Sequence, residues 1–304
     1  MYENYFGLKE KPFSLSPDTQ YFFCHEGQQQ ALNTLLIALE SGEGFVKVVG
    51  EVGTGKTLLC RELLNRLDTQ RFYTAYVPNP YLSPSGLRMA IGAELGISSN
   101  KLQDHNRLVN HIYERLIELS TSGKQVVLCL DEVQAMPDKT LEALRLLTNL
   151  ETEKRKLLQV VLFGQPELDK KLNEPHIRQL RQRIVYSVHL GALDIQRVAG
   201  YVRHRLSVAG YKGEFLFSRP AVNQLYRASR GVPRLINILC GKSMLVAYGK
   251  GDSVISPQHV SAAAEDTEGL DPISFLEWHG VDVVIILSLC CFALAVASWW
   301  MSLQ

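Results

Sequence analysis

The stretch Phe45-Val46-Lys47-Val48-Val49-Gly50-Glu51-Val52-Gly53-Thr54-Gly55-Lys56-Thr57-Leu58 decides the architecture. An apolar run breaks into a glycine-rich turn that fits G-x-x-x-x-G-K-[ST], and a helical pattern follows. Glycines let such a loop curl until successive backbone N–H groups converge on phosphate oxygens. The positive end of a helix starting at Lys56 adds to that attraction. The motif and the residue after it, Gly50, Glu51, Val52, Gly53, Thr54, Gly55, Lys56, Thr57 and Leu58, are expected to bind the nucleotide. Within this set Lys56 is placed to reach the β- and γ-phosphates and the Thr57 hydroxyl to ligate Mg²⁺. The competing reading is a plain glycine-rich turn, which the strand before and the helix after disfavour.

Working outward, four more short apolar runs alternate with helical patterns: Phe72 to Val77, Val126 to Leu130, Leu157 to Phe163 and Ile184 to Val188. Each is nearly continuous in apolar residues, as strands buried on both faces must be, so a five-stranded parallel sheet covered by helices is predicted. Helices are expected from Ser83-Pro84, from Asp104 to near Gly123 and from Asp138 through Leu150. After Leu190 the strand pattern stops. Helical segments then run from Asp194 to Ala209 before Gly210, from Ser218 to Ser229, from Pro233 to Tyr248 before Gly249, and onward from Ser256.

The far end differs again. Val283 to Trp300 carries no charge, and about 20 residues at a rise of about 1.5 Å each match the roughly 30 Å hydrocarbon layer. Trp299 and Trp300 fall where interfacial aromatics are favoured. The expected organisation is an α/β nucleotide-binding domain at 1–190, an all-helical lid at 191–265, a linker at 266–281 and a transmembrane tail anchor at 282–303. The N-terminus lacks the apolar core of a signal peptide, so the bulk of the chain is expected in the cytoplasm.

The second chemical signal is Gln125 to Glu132, a predicted strand ending in two carboxylates. A carboxylate at the C-terminal tip of such a strand faces the crevice where α/β sheets bind ligands. Asp131 is placed to hold Mg²⁺ through water, and Glu132 to orient or deprotonate an attacking water. Gln165, just past the next strand, is suited to touch the γ-phosphate or that water; by pattern alone it equally suits a turn before a proline-initiated helix. Arg178, Arg181 and Arg183 cluster before the fifth strand, where a guanidinium can stabilise charge on a transferring phosphoryl group of a neighbouring subunit. A solvated helix face is the alternative. Gly231-Val232-Pro233-Arg234 opens a helix from which Arg234 can lean across a nucleotide, or merely start the helix.

The formal net charge of +1 gives no basic excess, so nucleic acid is not an expected partner. The six cysteines show neither metal-ligand spacing nor a disulfide framework, which suits a reducing compartment.

Taken together, these motifs resemble the AAA+ superfamily, and within it the ExeA-type, or general secretion pathway protein A, ATPases. The resemblance is carried by Tyr5-Phe6-Gly7-Leu8, Pro12-Phe13, Pro17-Asp18, the phosphate loop, Asp131-Glu132-Val133-Gln134, Gly164-Gln165-Pro166-Glu167-Leu168 and Gln182-Arg183-Ile184, and covers roughly residues 1 to 265. It implies ATP as nucleotide, Gln165 as the first sensor, Arg234 as the second, and assembly with other copies into a hexameric or other ring in which Arg183 completes a neighbour's site. It also implies that Phe6 to Phe13 lie near the adenine. Two departures stand out. Relatives often carry a cell-wall-binding domain beyond the span, which is not expected here, and Gln28-Gln29-Gln30-Ala31-Leu32 stands where relatives commonly place a His-x-Glu-Ala-Leu-like stretch. The implied function is a bacterial inner-membrane ATPase, held in lipid by its anchor, that works with assembly proteins of a type IV pilus of the mannose-sensitive haemagglutinin kind or of a type II secretion apparatus. The alternatives are a DNA-binding regulator of the transposition-ATPase type, drawing on Lys154-Arg155-Lys156 and the arginine cluster, and a nucleotide-gated scaffold.

Overall fold

A computed structural model describes residues 2–104, 107–151 and 156–267. The expected span at 282–303, most of the linker before it, and Lys154-Arg155 lie outside the described residues. Among the described residues no helix is long and apolar enough to cross a membrane.

All five expected strands form, four of them with bounds shifted by a residue or two: β1 Phe45–Gly50, β2 Phe72–Val77, β3 Gln125–Leu130, β4 Leu158–Gly164 and β5 Ile184–Leu190. They make one parallel sheet in the order β2-β3-β4-β1-β5. Side chains alternate across a strand, so the interior strands feed two cores. Val49, Leu128, Leu130, Val160 and Leu162 pack on one face against helical residues such as Leu87, Ile112 and Leu144. Val46, Val48, Cys129, Val161 and Phe163 pack on the other against Leu35, Leu59 and Leu63. Continuous apolar runs are the consequence of that double burial. β5 lies at the edge, and there alone exposed and covered residues alternate, with Val185, Ser187 and His189 outward.

The order places β1 between β4 and β5: the crossover out of β1 runs past β4 and β3 to β2, whereas the one out of β4 runs past β1 to β5. This opens a crevice at the carboxyl end of the sheet where the loop after β1 emerges.

Among the described residues beyond Leu190 four helices follow: Ile195–Val208, Arg219–Ser229, Pro233–Lys250 and Pro257–Glu265. Asp194 and Ser218 cap the first two through side-chain bonds to the N–H groups of Arg197 and Ala221. The third runs past the expected stop at Gly249, because the residue that takes the left-handed conformation is Gly251, with φ of 75°. Two expected bounds in the α/β part also move. The helix expected from Asp104 begins at Leu108, Asp104 being used instead to accept the N–H of Arg107. The helix at Asp138 ends at Leu147, where the Thr148 hydroxyl turns back to the carbonyl of Arg145.

The helical unit has its own core, built around Val198, Leu206, Leu225, Ile236, Leu239 and Met244. Phe6, Leu8, Phe13 and Tyr21 from the N-terminal segment share it. The chain therefore begins as a strap across the helices before it enters the sheet.

Candidate functional site

The loop after β1 delivers Lys56 and Thr57 to the first turn of the Lys56–Arg66 helix. The Lys56 ammonium, on a side chain from a residue only 5% exposed, donates to the carbonyls of Gly50 at 2.9 Å and Glu51 at 3.0 Å. Burial pushes its pKa down, and the carboxylates of Glu132 and Asp131 oppose that shift. Thr57 Oγ1 donates to Asp131 Oδ2 at 2.6 Å, and the N–H of Glu132 donates to Asp131 Oδ1 at 2.9 Å. Asp131 is 2% exposed, and burial pushes its carboxyl above the usual range although both hydrogen bonds pull it back. The strand tip therefore brings the predicted carboxylates to the predicted loop.

Glu132 stands in the left-handed region, with φ of 54°. A non-glycine residue there costs about 1–3 kcal/mol and persists only where its surroundings fix it. The surroundings are two glutamines. Gln165 Nε2 donates to Glu132 Oε2 at 3.0 Å, and Gln134 Nε2 donates to the same oxygen at 2.5 Å. Gln134 Oε1 in turn accepts the backbone N–H of Gln165 at 3.0 Å. Gln165, expected at the γ-phosphate or the water, thus rests on the carboxylate. Gln134 was given no role by the sequence reading, although it stands only two residues past Glu132.

A cleft of about 340 Å³ lies between the loop and the helical unit. Its floor is Val52 to Leu58 with Glu132, and its roof includes Tyr201, Arg205, Arg234 and Asn237. Arg234 presents an exposed side chain, and its backbone N–H bonds the carbonyl of Gly53 at 3.2 Å, fastening the Pro233–Lys250 helix onto the phosphate loop. The third wall is Ser14 to Pro17, not Phe6 to Phe13 as the resemblance implied. Phe6 and Phe13 are consumed by the helical core, where apolar rings lose more water than in an open cleft.

Arg205, 4% exposed, fixes that wall. It donates to the carbonyl of Pro12 at 2.6 Å, the carbonyl of Ser14 at 3.1 Å and the hydroxyl of Tyr201 at 2.9 Å. The Tyr201 hydroxyl in turn donates a hydrogen bond to Asn237 Oδ1 at 2.9 Å. No sequence motif marks this network.

The donor set fits a nucleoside triphosphate with a hard divalent ion. Thr57 and Asp131 offer oxygen only, which suits Mg²⁺. Gln28, in the cleft wall, keeps a buried Oε1 with no hydrogen-bond partner among the described residues, as expected of a polar surface built for a ligand. The arginines before β5 stand elsewhere: Arg183 donates to Thr148 Oγ1 at 3.1 Å, Arg178 and Arg181 are exposed, and none of the three is among the residues lining the cleft.

Comparison with known proteins agrees with this architecture. Residues 39–172 match the family model of an AAA domain. General secretion pathway protein A of Aeromonas hydrophila is 40% identical over 300 residues, which are 99% of this chain and 54% of that protein. The chain thus spans about half the length of the curated relative it matches. Among solved structures, Cdc6p from Pyrobaculum aerophilum superimposes with a TM-score of 0.65 at 19% identity, covering 84% of this chain and 70% of that one. The ORC2 protein of Aeropyrum pernix gives 0.63 at 17% identity, over 85% and 72%. The RuvB Holliday junction branch migration motor of Thermotoga maritima gives 0.54 at 18% identity, over 83% and 74%. At such identities the solved structures establish the fold alone: an α/β P-loop core of the AAA kind with a five-stranded parallel sheet.

Proposed function

Because this chain carries an AAA domain and is a relative of General secretion pathway protein A over nearly its whole length, we propose that it is a membrane-anchored ATPase. Its output supports assembly of a secretion apparatus or type IV pilus at the bacterial inner membrane. The observation that carries the enzymatic half is the contact of Thr57 Oγ1 with Asp131 Oδ2, which joins residues 74 positions apart at the head of one loop.

In this reading Gly50 to Leu58 hold the phosphates of ATP, and the Lys56 ammonium turns from its two carbonyls to the β- and γ-phosphates. Thr57 and Asp131 would hold Mg²⁺, which when bound would screen the phosphate charge. Glu132 takes a proton from water as the water oxygen bonds to the γ-phosphorus and the bond to the bridging oxygen breaks, leaving ADP and phosphate. Arg234 closes over the nucleotide from the lid. Arg183 acts on a neighbouring copy in a ring, which accounts for its place away from its own cleft. Residues 1–190 and 191–265 serve as nucleotide domain and lid, with the N-terminal strap joining them, and 282–303 anchor the chain in lipid behind the 266–281 linker.

The test is made in cells lacking their own copy of the chain. Lys56→Ala, Arg183→Ala and a chain ending before residue 282 are each expected to fail to restore secreted protein or surface pili, with the last recovered from the soluble fraction. Full restoration by Lys56→Ala would overturn the enzymatic reading, and membrane retention of the shortened chain would overturn the anchor. Mixing purified Arg183→Ala with Glu132→Gln chains should return part of the turnover that each lacks alone; no return would count against shared sites.

A further inference from the structure

We infer that Gln134 is a positioning residue for the water-activating carboxylate, acting with Gln165 to hold Glu132 by one oxygen and leave the other for the proton. The inference rests on the ATPase reading above and adds a residue to it.

The geometry is a closed ring. Glu132 Oε2 accepts from the side-chain amides of both Gln134 and Gln165, and Gln134 Oε1 accepts the backbone N–H of Gln165. Gln134 supplies two of the three bonds, so its loss frees the carboxylate and unties Gln165 at once. Only a carboxamide can do this. Position 134 must donate to a carboxylate and accept from an amide in the same conformation; a carboxylate there would repel Glu132, and an apolar side chain would leave the Gln165 N–H without its acceptor.

Gln134 is itself anchored. It sits in the short 3-10 turn Val133–Ala135, where Lys171 Nζ donates to its backbone carbonyl at 3.4 Å and to the carbonyl of Met136. Lys171 also pairs with Asp138 Oδ1 at 3.4 Å. Such outer support matters because a reacting group misplaced by about 1 Å can cost roughly a hundredfold in rate. A free glutamate would have to find its orientation among several rotamers, starting from a backbone angle that no helix or strand maintains.

The experiment compares the full chain with Gln134→Met, which keeps the length of the side chain without its amide, and Gln134→Glu, which keeps the shape and adds repulsion. Each is also made in the Glu132→Gln background. Turnover, KM and the Kd for a non-hydrolysable ATP analogue are measured. Both single variants are expected to lose about tenfold or more in kcat with analogue Kd unchanged within about twofold. Neither should slow single-turnover hydrolysis further when Glu132 is already Gln. Unchanged kcat in the single variants would overturn the inference, as would a loss of the same size in the Glu132→Gln background, since a purely structural role would persist there. The outcome that sinks the ATPase reading itself is different: no turnover in the unaltered chain, or full turnover in Glu132→Gln.

Discussion

Replacing Gly53 by alanine sets a methyl group 2.5 Å from Arg234 Cβ and 3.3 Å from Val232 Cγ1, at a backbone φ of +81°. Two costs follow. The left-handed conformation costs a residue with a Cβ about 1–2 kcal/mol. Forcing a carbon into a filled contact costs about 1–3 kcal/mol more, because the Pro233–Lys250 helix must lift from the loop. Gly42 separates the two terms: its φ is +77°, and an added Cβ meets nothing within 4 Å. Urea unfolding of the detergent-solubilised full chain should therefore show Gly42→Ala losing about 1–2 kcal/mol and Gly53→Ala about 2–5 kcal/mol. Adding Arg234→Gly to Gly53→Ala should return part of the difference, because the clashing atom is gone. Equal losses for Gly42→Ala and Gly53→Ala would refute the claim that the Pro233–Lys250 helix rests directly on the loop after β1.

Two further outcomes follow from the site. Burial raises the Asp131 carboxyl above its unfolded value, so the folded chain favours the protonated form, and the stability this brings at low pH is lost as pH rises through the folded pKa. Asp131→Asn avoids that loss: without nucleotide it should melt above the unaltered chain at pH 7, with the gap closing as pH falls toward 4, and a gap independent of pH would contradict the assignment. Arg205→Leu leaves the carbonyls of Pro12 and Ser14 without their donor, and should cost about 2–4 kcal/mol. It should also expose the strap to limited proteolysis ahead of Pro17; an unchanged cleavage pattern would show the strap to be held by its aromatic residues alone.

Much of this molecule was legible in the sequence because the relevant signals are local. A strand buried on both faces must be apolar throughout, so the interior strands β1, β3 and β4 could each be read to within one residue at either end. The phosphate loop and the carboxylates at the tip of β3 are contiguous motifs with strand and helix flanks of their own. What escaped depends on partners far along the chain. Gln134 meets the backbone of Gln165 across 31 positions, and Arg205 meets Pro12 across 193, and neither pairing leaves a periodic trace. The misplacement of Phe6 to Phe13 has the same origin: an aromatic segment reads alike whether it lines a cleft or completes a distant helical core. At the end of the Pro233–Lys250 helix two glycines stood two residues apart, and only the backbone angle at Gly251 distinguishes a stop from a glycine the helix passes through.

The central claim, that one bound ATP is hydrolysed under Glu132 above the Lys56 loop, meets its most direct test in phosphate release measured alongside ATP binding. The account predicts that the full chain releases phosphate only when Mg²⁺ is supplied, and that Glu132→Gln binds ATP as tightly while releasing phosphate roughly a hundredfold more slowly or worse. Equal release rates from the two chains, or no ATP binding by either, would contradict it.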